Sequence, residues 1–276
     1  MSTSLRELLS AVTTLTDVDS RSTPGFEGGK AEAKKAMAAL GNELAELQRR
    51  LYANGTGGDP RSVLLVLQGM DTSGKGGVIR HAVGLVDPLG LRITSFKKPT
   101  TEELEHDFLW RIEKGLPQPG IIGVFDRSHY EDVLISRVRE LATPEEIERR
   151  YGAINDFEQA YFDGGGTIVK CMLHINSGDQ KERLAARLED PAKYWKYNPA
   201  DLDERARWDD YQKAYELAIE RCSTATAPWF VVPSGRKWYR NLAVATLLLE
   251  HLRALDLAWP AADFDVEVEK ARLAAS

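Results

Sequence analysis

Ser62-Val-Leu-Leu-Val-Leu-Gln-Gly-Met-Asp-Thr-Ser-Gly-Lys-Gly-Gly77 joins an apolar run to a glycine-rich turn, and the amphipathic segment Val78-Ile-Arg-His-Ala-Val83 follows it. Gly69 to Lys75 fits the spacing GxxxxGK. In that pattern glycines let the backbone curl so that successive N–H groups face a phosphate. The next helix adds its positive end, and the lysine reaches the phosphate being transferred. Gly69, Thr72, Ser73, Gly74, Gly76 and Gly77 are therefore the candidate phosphate-binding loop, and Lys75 the candidate catalytic cation. Gly76 breaks the pattern, because it stands where ordinary phosphate-loop enzymes carry the Ser or Thr that holds magnesium.

Outward from this turn, apolar runs at Val63–Leu67, Leu91–Phe96, Ile121–Phe125, Thr167–Ile175 and Trp229–Val232 read as strands. Between them lie helices with readable starts: Thr100 with Glu103, Thr143-Pro144 with Glu146, and Ser177 with Gln180 fit a capping residue followed by Glu or Gln. Strands alternating with helices predict an α/β fold: a parallel five-stranded sheet flanked by helices, like that of phosphate-loop kinases. Residues 1 to about 25 read as a loosely held arm, and Leu40, Leu44, Leu47 and Leu51 mark a helix from Gly28 to Tyr52, stopped by Asn54-Gly55. The segment Gly178 to Thr224 lacks a strand pattern and is rich in charge, Trp and Tyr, which predicts a helical lid or, alternatively, a peripheral helical pair. The expected organisation is an arm and helix over 1–57, a phosphate-loop domain over 58–260 with the lid at about 176–224, and a tail over 261–276.

Ligands of parallel sheets bind beyond the carboxyl ends of the strands. Asp126, ending the third strand in Ile121-Ile-Gly-Val-Phe-Asp-Arg-Ser-His129, falls there and is a candidate metal ligand. Asp71 offers a second carboxylate in place of the missing hydroxyl, since Mg²⁺ binds through one or two carboxylates together with substrate phosphates. Asp71 also suits a loop-stabilising role, and either Asp suits a general base if the acceptor is a hydroxyl. An acceptor phosphate, largely ionised at neutral pH, needs no base. Arg127 follows Asp126 into the cleft, and Arg183 and Arg187 share a helix face of the lid, where they can neutralise a transferring phosphoryl group or form a solvated charged face, with Glu182 and Glu189 as local partners for Arg187. Arg80, Lys97 and Lys98 supply a candidate basic channel.

The chain has 276 residues, a net charge of −6 and two distant cysteines, Cys171 and Cys222. Acidity argues against a surface that coats nucleic acid, and the cysteines suggest neither a disulfide framework nor a zinc site. The apolar stretch near Leu242 to Leu249 is too short for a membrane span, so a cytoplasmic protein is expected. The five histidines show no ligand spacing and read as packing or surface residues.

Several segments in order resemble the polyphosphate kinase 2 family, over about Leu47 to Leu248. They are Leu51-Tyr-Ala53, Gln68 to Gly77, Ser95-Phe-Lys-Lys-Pro-Thr100, His106-Asp-Phe-Leu-Trp-Arg111 and Val124-Phe-Asp-Arg-Ser-His-Tyr-Glu-Asp-Val133. Gln180-Lys-Glu-Arg-Leu184, Trp195-Lys196, Ala227-Pro-Trp-Phe-Val-Val-Pro233 and Trp238-Tyr-Arg-Asn241 complete the set. The resemblance implies reversible phosphoryl transfer between inorganic polyphosphate and a nucleotide, with Mg²⁺ or Mn²⁺, in a homodimer or homotetramer. It implies that Lys75, Arg127 and Arg183 contact phosphates, that Asp71 and Asp126 serve the metal and acceptor, and that Gly76 is ordinary for the family. Phe96-Lys-Lys-Pro and His-Tyr-Glu-Asp resemble the branch accepting AMP and ADP, whereas Gly76-Gly77 after Gly-Lys resembles ADP-preferring members. Adenine and guanine (as in GDP) both suit the Trp and Tyr rings of the lid. An ATP-dependent nucleoside or nucleoside-monophosphate kinase and a non-catalytic sensor are the competing readings.

Overall fold

The computed structural model describes residues 4–10, 12 and 14–276. In chain order the elements are α1 (Leu5–Ser10), α2 (Lys30–Thr56), β1 (Ser62–Gln68), α3 (Lys75–His81), β2 (Leu91–Ser95), α4 (Thr101–Leu104), α5 (Trp110–Gly115) and β3 (Ile122–Asp126). There follow α6 (Ile135–Val138), α7 (Pro144–Asp163), β4 (Gly166–His174), α8 (Ser177–Leu188), α9 (Ala200–Arg205), α10 (Trp208–Cys222), β5 (Trp229–Pro233), α11 (Lys237–Ala254) and α12 (Val266–Ala274). The strands form one parallel sheet in the order β2-β3-β1-β4-β5. Chain direction across the sheet reverses around β1 and β3, so a crevice opens at their carboxyl ends.

Alternating side chains feed two cores. Val63, Leu65, Leu67, Val124 and Phe230 face α2, α3 and α11, whereas Leu64, Val66, Phe125, Met172 and Val231 face α7 and α10. A strand buried on both faces must be apolar throughout, which is why β1 was readable. Thr100 and Thr143 cap α4 and α7 as the sequence predicts. For α8 the cap lies one residue earlier, at Asn176, whose side chain accepts from Asp179 N at 2.8 Å.

Three expectations are corrected. Helix α2 runs through Asn54-Gly55 to Thr56. Gly55 serves close packing instead of termination, because a Cβ there would lie 2.4 Å from Gly120 Cα. The N-terminal arm is tied down: Leu9 and Leu15 are buried, Glu250 accepts from the N–H groups of Leu5 and Arg6, and Arg21 pairs with Asp179 at 2.8 Å. Within the segment expected as a lid, α10 is core, burying Tyr211, Ala214, Tyr215, Ala218, Ile219 and Cys222. The exposed part of that segment includes the turn Pro191–Lys196.

One buried charge cluster interrupts the second core. Lys170, on β4, donates to Glu158 Oε2 at 2.5 Å, to Tyr130 Oη at 2.8 Å and to the Cys222 carbonyl at 2.6 Å. Glu158 also accepts from Tyr130 Oη at 2.9 Å and lies 3.1 Å from His129 Nε2. The cluster ties the loop after β3 to α7, β4 and the end of α10. Breaking a buried ion pair from one side leaves an uncompensated charge. Lys170→Met is therefore expected to lower stability by about 3–5 kcal/mol in urea denaturation. Lys170→Met with Glu158→Gln should recover much of that loss, and a neutral Lys170→Met protein would contradict the pairing.

Candidate active site

The sheet brings Asp126 beside the glycine loop because β3 pairs with β1 in a register that sets Leu67 against Asp126. Arg127 N then donates to the Leu67 carbonyl at 3.1 Å, which anchors the residue after β3 to the start of the loop. Two non-glycine residues adopt left-handed backbone angles here: Thr72 at φ 68° and Arg127 at φ 65°. A β-branched residue in that region is strained, and such strain persists only where the surroundings fix it.

Those surroundings are hydrogen bonds to the back of the loop. Arg183 donates to the carbonyls of Thr72 (2.9 Å), Ser73 (3.2 Å), Ser234 (2.6 Å) and Gly235 (3.0 Å), clamping the loop to the β5–α11 turn. Burial lowers its pKa. Gln180 Nε2 donates to the Asp71 carbonyl at 3.2 Å, and Lys75 Nζ reaches back to the Gly69 carbonyl at 2.9 Å. With its carbonyls occupied behind, the loop is left to offer N–H groups in front. Thr72 Oγ1 and Ser73 Oγ are buried with no hydrogen-bond partner among the described residues, which suits a site completed by an oxyanion.

Opposite charges face each other across the crevice. Arg127 Nη2 lies 3.0 Å from Asp71 Oδ1, and its Nη1 lies 3.7 Å from Glu131 Oε2. Burial opposes the Arg127 charge, but Glu131 and Asp71 outweigh it and raise its pKa. Burial, then the nearby Arg127, lowers the pKa of Lys75, and Asp71, Asp126 and Glu131 oppose that shift. Burial raises the pKa of Glu131 despite Arg127 and Lys75. Asp71, Lys75, Asp126, Arg127 and Glu131 thus form one electrostatic group.

The other expected residues divide. Arg187 is engaged away from this group, donating to the Lys196 carbonyl at 2.7 Å and lying 3.3 Å from Asp201 in place of the expected Glu182 or Glu189. Lys97 and Lys98 are exposed just beyond β2, where Phe96 N donates to the Asp126 carbonyl at 3.1 Å. Arg80 is exposed on α3. Sequence reasoning missed Glu131 and Gln180 as parts of the site. It also missed Arg111, which donates to the Lys97 carbonyl at 2.9 Å and lies 3.5 Å from Asp132, and Arg240, buried behind the loop. No local signal marked Arg240, which lies between Arg236-Lys237 and Asn241 in sequence.

Among the described residues no three His, Cys, Asp or Glu side chains gather as a ready-made metal cage. Asp71 and Asp126 instead offer hard carboxylate oxygens in a cleft open to phosphate. That donor set fits a divalent ion that keeps waters and takes substrate oxygens.

A family model for polyphosphate kinase 2 matches residues 27–258. The chain belongs to the polyphosphate kinase 2 family. The family's phosphotransferase character accords with a loop built for oxyanions. A crystal structure of polyphosphate kinase 2 from Arthrobacter aurescens TC1 matches with a TM-score of 0.97 at 54% identity, covering 99% of this chain and 98% of that one. An AMP/ADP-polyphosphate phosphotransferase of Meiothermus ruber is 45% identical over 242 residues, 88% of this chain and 89% of that protein. An ADP-polyphosphate phosphotransferase of Rhodopseudomonas palustris is 40% identical over 229 residues, 79% of this chain and 78% of that protein.

Arg183 gives this geometry a direct test. Arg183→Met removes the donor to four carbonyls, and hydrogen bonds from a charged group contribute about 1.5–3 kcal/mol. A loss of that order in denaturant unfolding is expected, with Arg183→Lys recovering part of it. Wild-type stability for Arg183→Met would show that the clamp does not hold the loop.

Proposed function

We propose that this protein catalyses reversible, Mg²⁺-dependent phosphoryl transfer between inorganic polyphosphate and adenine nucleotides, making ATP from ADP and ADP from AMP. The observation that carries this reading is the convergence of Lys75, Arg127, Asp71 and Asp126 on a loop whose Thr72 and Ser73 hydroxyls find no partner among the described residues. The names of its relatives, AMP/ADP-polyphosphate and ADP-polyphosphate phosphotransferase, supply the donor and acceptors.

In this mechanism the loop N–H groups and Lys75 hold the transferring phosphate, and Arg127 neutralises charge on its equatorial oxygens. Asp71 and Asp126 would hold Mg²⁺, with Mn²⁺ as a substitute, and the ion would supply positive charge against the phosphates. The acceptor is an ionised phosphate, so no carboxylate is needed as a base, and alignment with charge neutralisation suffices. Arg183 acts on the transferring group through the loop that it clamps. Lys97, Lys98 and Arg80 line the approach for the polyanion. Adenine nucleotides are the acceptors in this reading, with GDP as a further candidate acceptor.

No helix among the described residues is long and apolar enough to cross a membrane. The reading is of a cytoplasmic enzyme, where nucleotides are abundant. A homodimer or homotetramer would cover exposed apolar side chains such as Trp259, Phe264, Val268 and Leu273.

Chromatography of nucleotides after incubation with Mg²⁺, long-chain polyphosphate and either AMP or ADP tests the assignment. ATP from ADP and ADP from AMP are expected, and Lys75→Met and Asp126→Asn should each lower turnover by about 10²-fold or more. Phosphorylation that uses ATP as donor and ignores polyphosphate would replace the reading with an ordinary nucleotide kinase.

The pH profile gives a second test. Lys75 must be an ammonium, and its pKa in the ligand-free protein lies below 10.5, so kcat/KM should fall on the alkaline side below that value. Bound phosphates favour the ammonium, so the corresponding limb in kcat should lie at higher pH. Coincident limbs would contradict contact between Lys75 and phosphate.

A further inference from the structure

Arg240 projects from the first turn of α11 and is 3% exposed. Its Nη1 donates to the Ser73 carbonyl at 3.1 Å, and its Nε and Nη2 donate to Asn241 Oδ1 at 3.1 and 2.9 Å. The guanidinium lies directly against the glycine loop. A Cβ on Gly74 would meet Nη1 at 1.7 Å, and a Cβ on Gly77 would meet Nη2 at 2.4 Å. Gly74 also needs its left-handed φ of 109°, whereas at Gly77 the neighbour that an added Cβ would meet is Arg240 alone.

The charge of Arg240 is uncompensated. Two other deeply buried cations have carboxylate partners: Lys170 has Glu158, and Arg111 has Asp132 at 3.5 Å. Among the described residues no carboxylate lies within ion-pair distance of Arg240, and the neighbouring charge is another cation, Arg183. Burial and then Arg183 push its pKa down to about 10, which leaves it charged at neutral pH. An unpaired buried charge is costly and is retained only where something offsets it.

We propose that Arg240 is a positioning residue of the phosphate loop, holding the loop from behind with a positive charge that is balanced by the oligophosphate bound in front. The substrate class rests on the polyphosphate reading above. Arg240 touches the loop backbone, and its effect reaches the phosphates through the loop's shape and through the field of a fixed, desolvated charge. An unpaired charge of this kind lowers the stability of the ligand-free protein and raises the gain on binding a polyanion. A residue with only a packing role would contribute to the first quantity and not to the second.

The test compares wild type, Arg240→Met and Arg240→Lys as full-length proteins, with inorganic tripolyphosphate as the probe and no nucleotide present. Thermal midpoints and calorimetric Kd are measured for each. The expected result is an Arg240→Met protein whose ligand-free midpoint equals or exceeds that of wild type, while its Kd for tripolyphosphate weakens by about tenfold or more. Arg240→Lys, which keeps the charge but not the fork of donors to Ser73 and Asn241, should lose clearly less affinity than Arg240→Met. An Arg240→Met protein that binds tripolyphosphate with the wild-type Kd would overturn the proposal. If Arg240→Met does not fold, Arg240→Lys decides: a Kd near wild type supports the charge, and a tenfold loss overturns it. Failure of the wild-type protein to bind tripolyphosphate would instead overturn the polyphosphate reading on which the proposal rests.

Discussion

Everything at this site depends on one constraint, that the carbonyls of the glycine loop are held from behind. A backbone can point consecutive N–H groups at an anion only if its carbonyls find partners elsewhere. Arg183 supplies that partnership at Thr72 and Ser73, and Gln180 at Asp71. Thr72 keeps a left-handed angle unusual for a β-branched residue because these bonds leave it no cheaper arrangement. The loop is thus part of a network reaching α8 and the β5–α11 turn, with the N-terminal arm fixed behind it through Ser20, Arg21 and Asp179.

The parallel sheet supplies the other half of the site. Pairing of β1 with β3 delivers Asp126 and Arg127 to the loop, although α3, β2, α4 and α5 lie between the two strands in sequence. Beneath them, Tyr130 and His129 reach down to Glu158 and Lys170, so the loop that carries Arg127 and Glu131 is fastened to the core through a buried polar cluster. Such a cluster is expensive to desolvate and suited to fixing one geometry, although His129 Nδ1 finds no hydrogen-bond partner among the described residues. The two cations at the front, Lys75 and Arg127, face Asp71, Asp126 and Glu131 in a crevice open to a polyanion.

Much of this was legible in the sequence, for a physical reason. Strands buried on both faces must be apolar, so β1, β3, β4 and β5 stand out as runs. Asp71, Lys75, Asp126 and Arg127 are close in sequence to strand ends, and topology alone places those ends together. The capping of α8 was misplaced by one residue because Asn176 and Ser177 are both good caps, followed respectively by Asp179 and Gln180. The arm was misread because its polar composition says nothing of Glu250 or Asp179, partners that lie more than a hundred residues away along the chain. Arg187 found Asp201 where local spacing favoured glutamates. Arg240 and Lys170 were invisible as buried charges, since their burial and surroundings are set by the packing of distant elements.

The central claim is that phosphate passes between polyphosphate and a nucleotide at the crevice beyond β1 and β3. It is tested most directly by ³¹P magnetic resonance of polyphosphate, ADP and Mg²⁺ with the wild-type protein and with Asp126→Asn. The expected result is loss of chain phosphate matched by growth of the nucleotide γ-phosphate signal in the wild-type sample, and little change in the variant. An unchanged polyphosphate spectrum with the folded wild-type protein, or equal transfer by the variant, would contradict it.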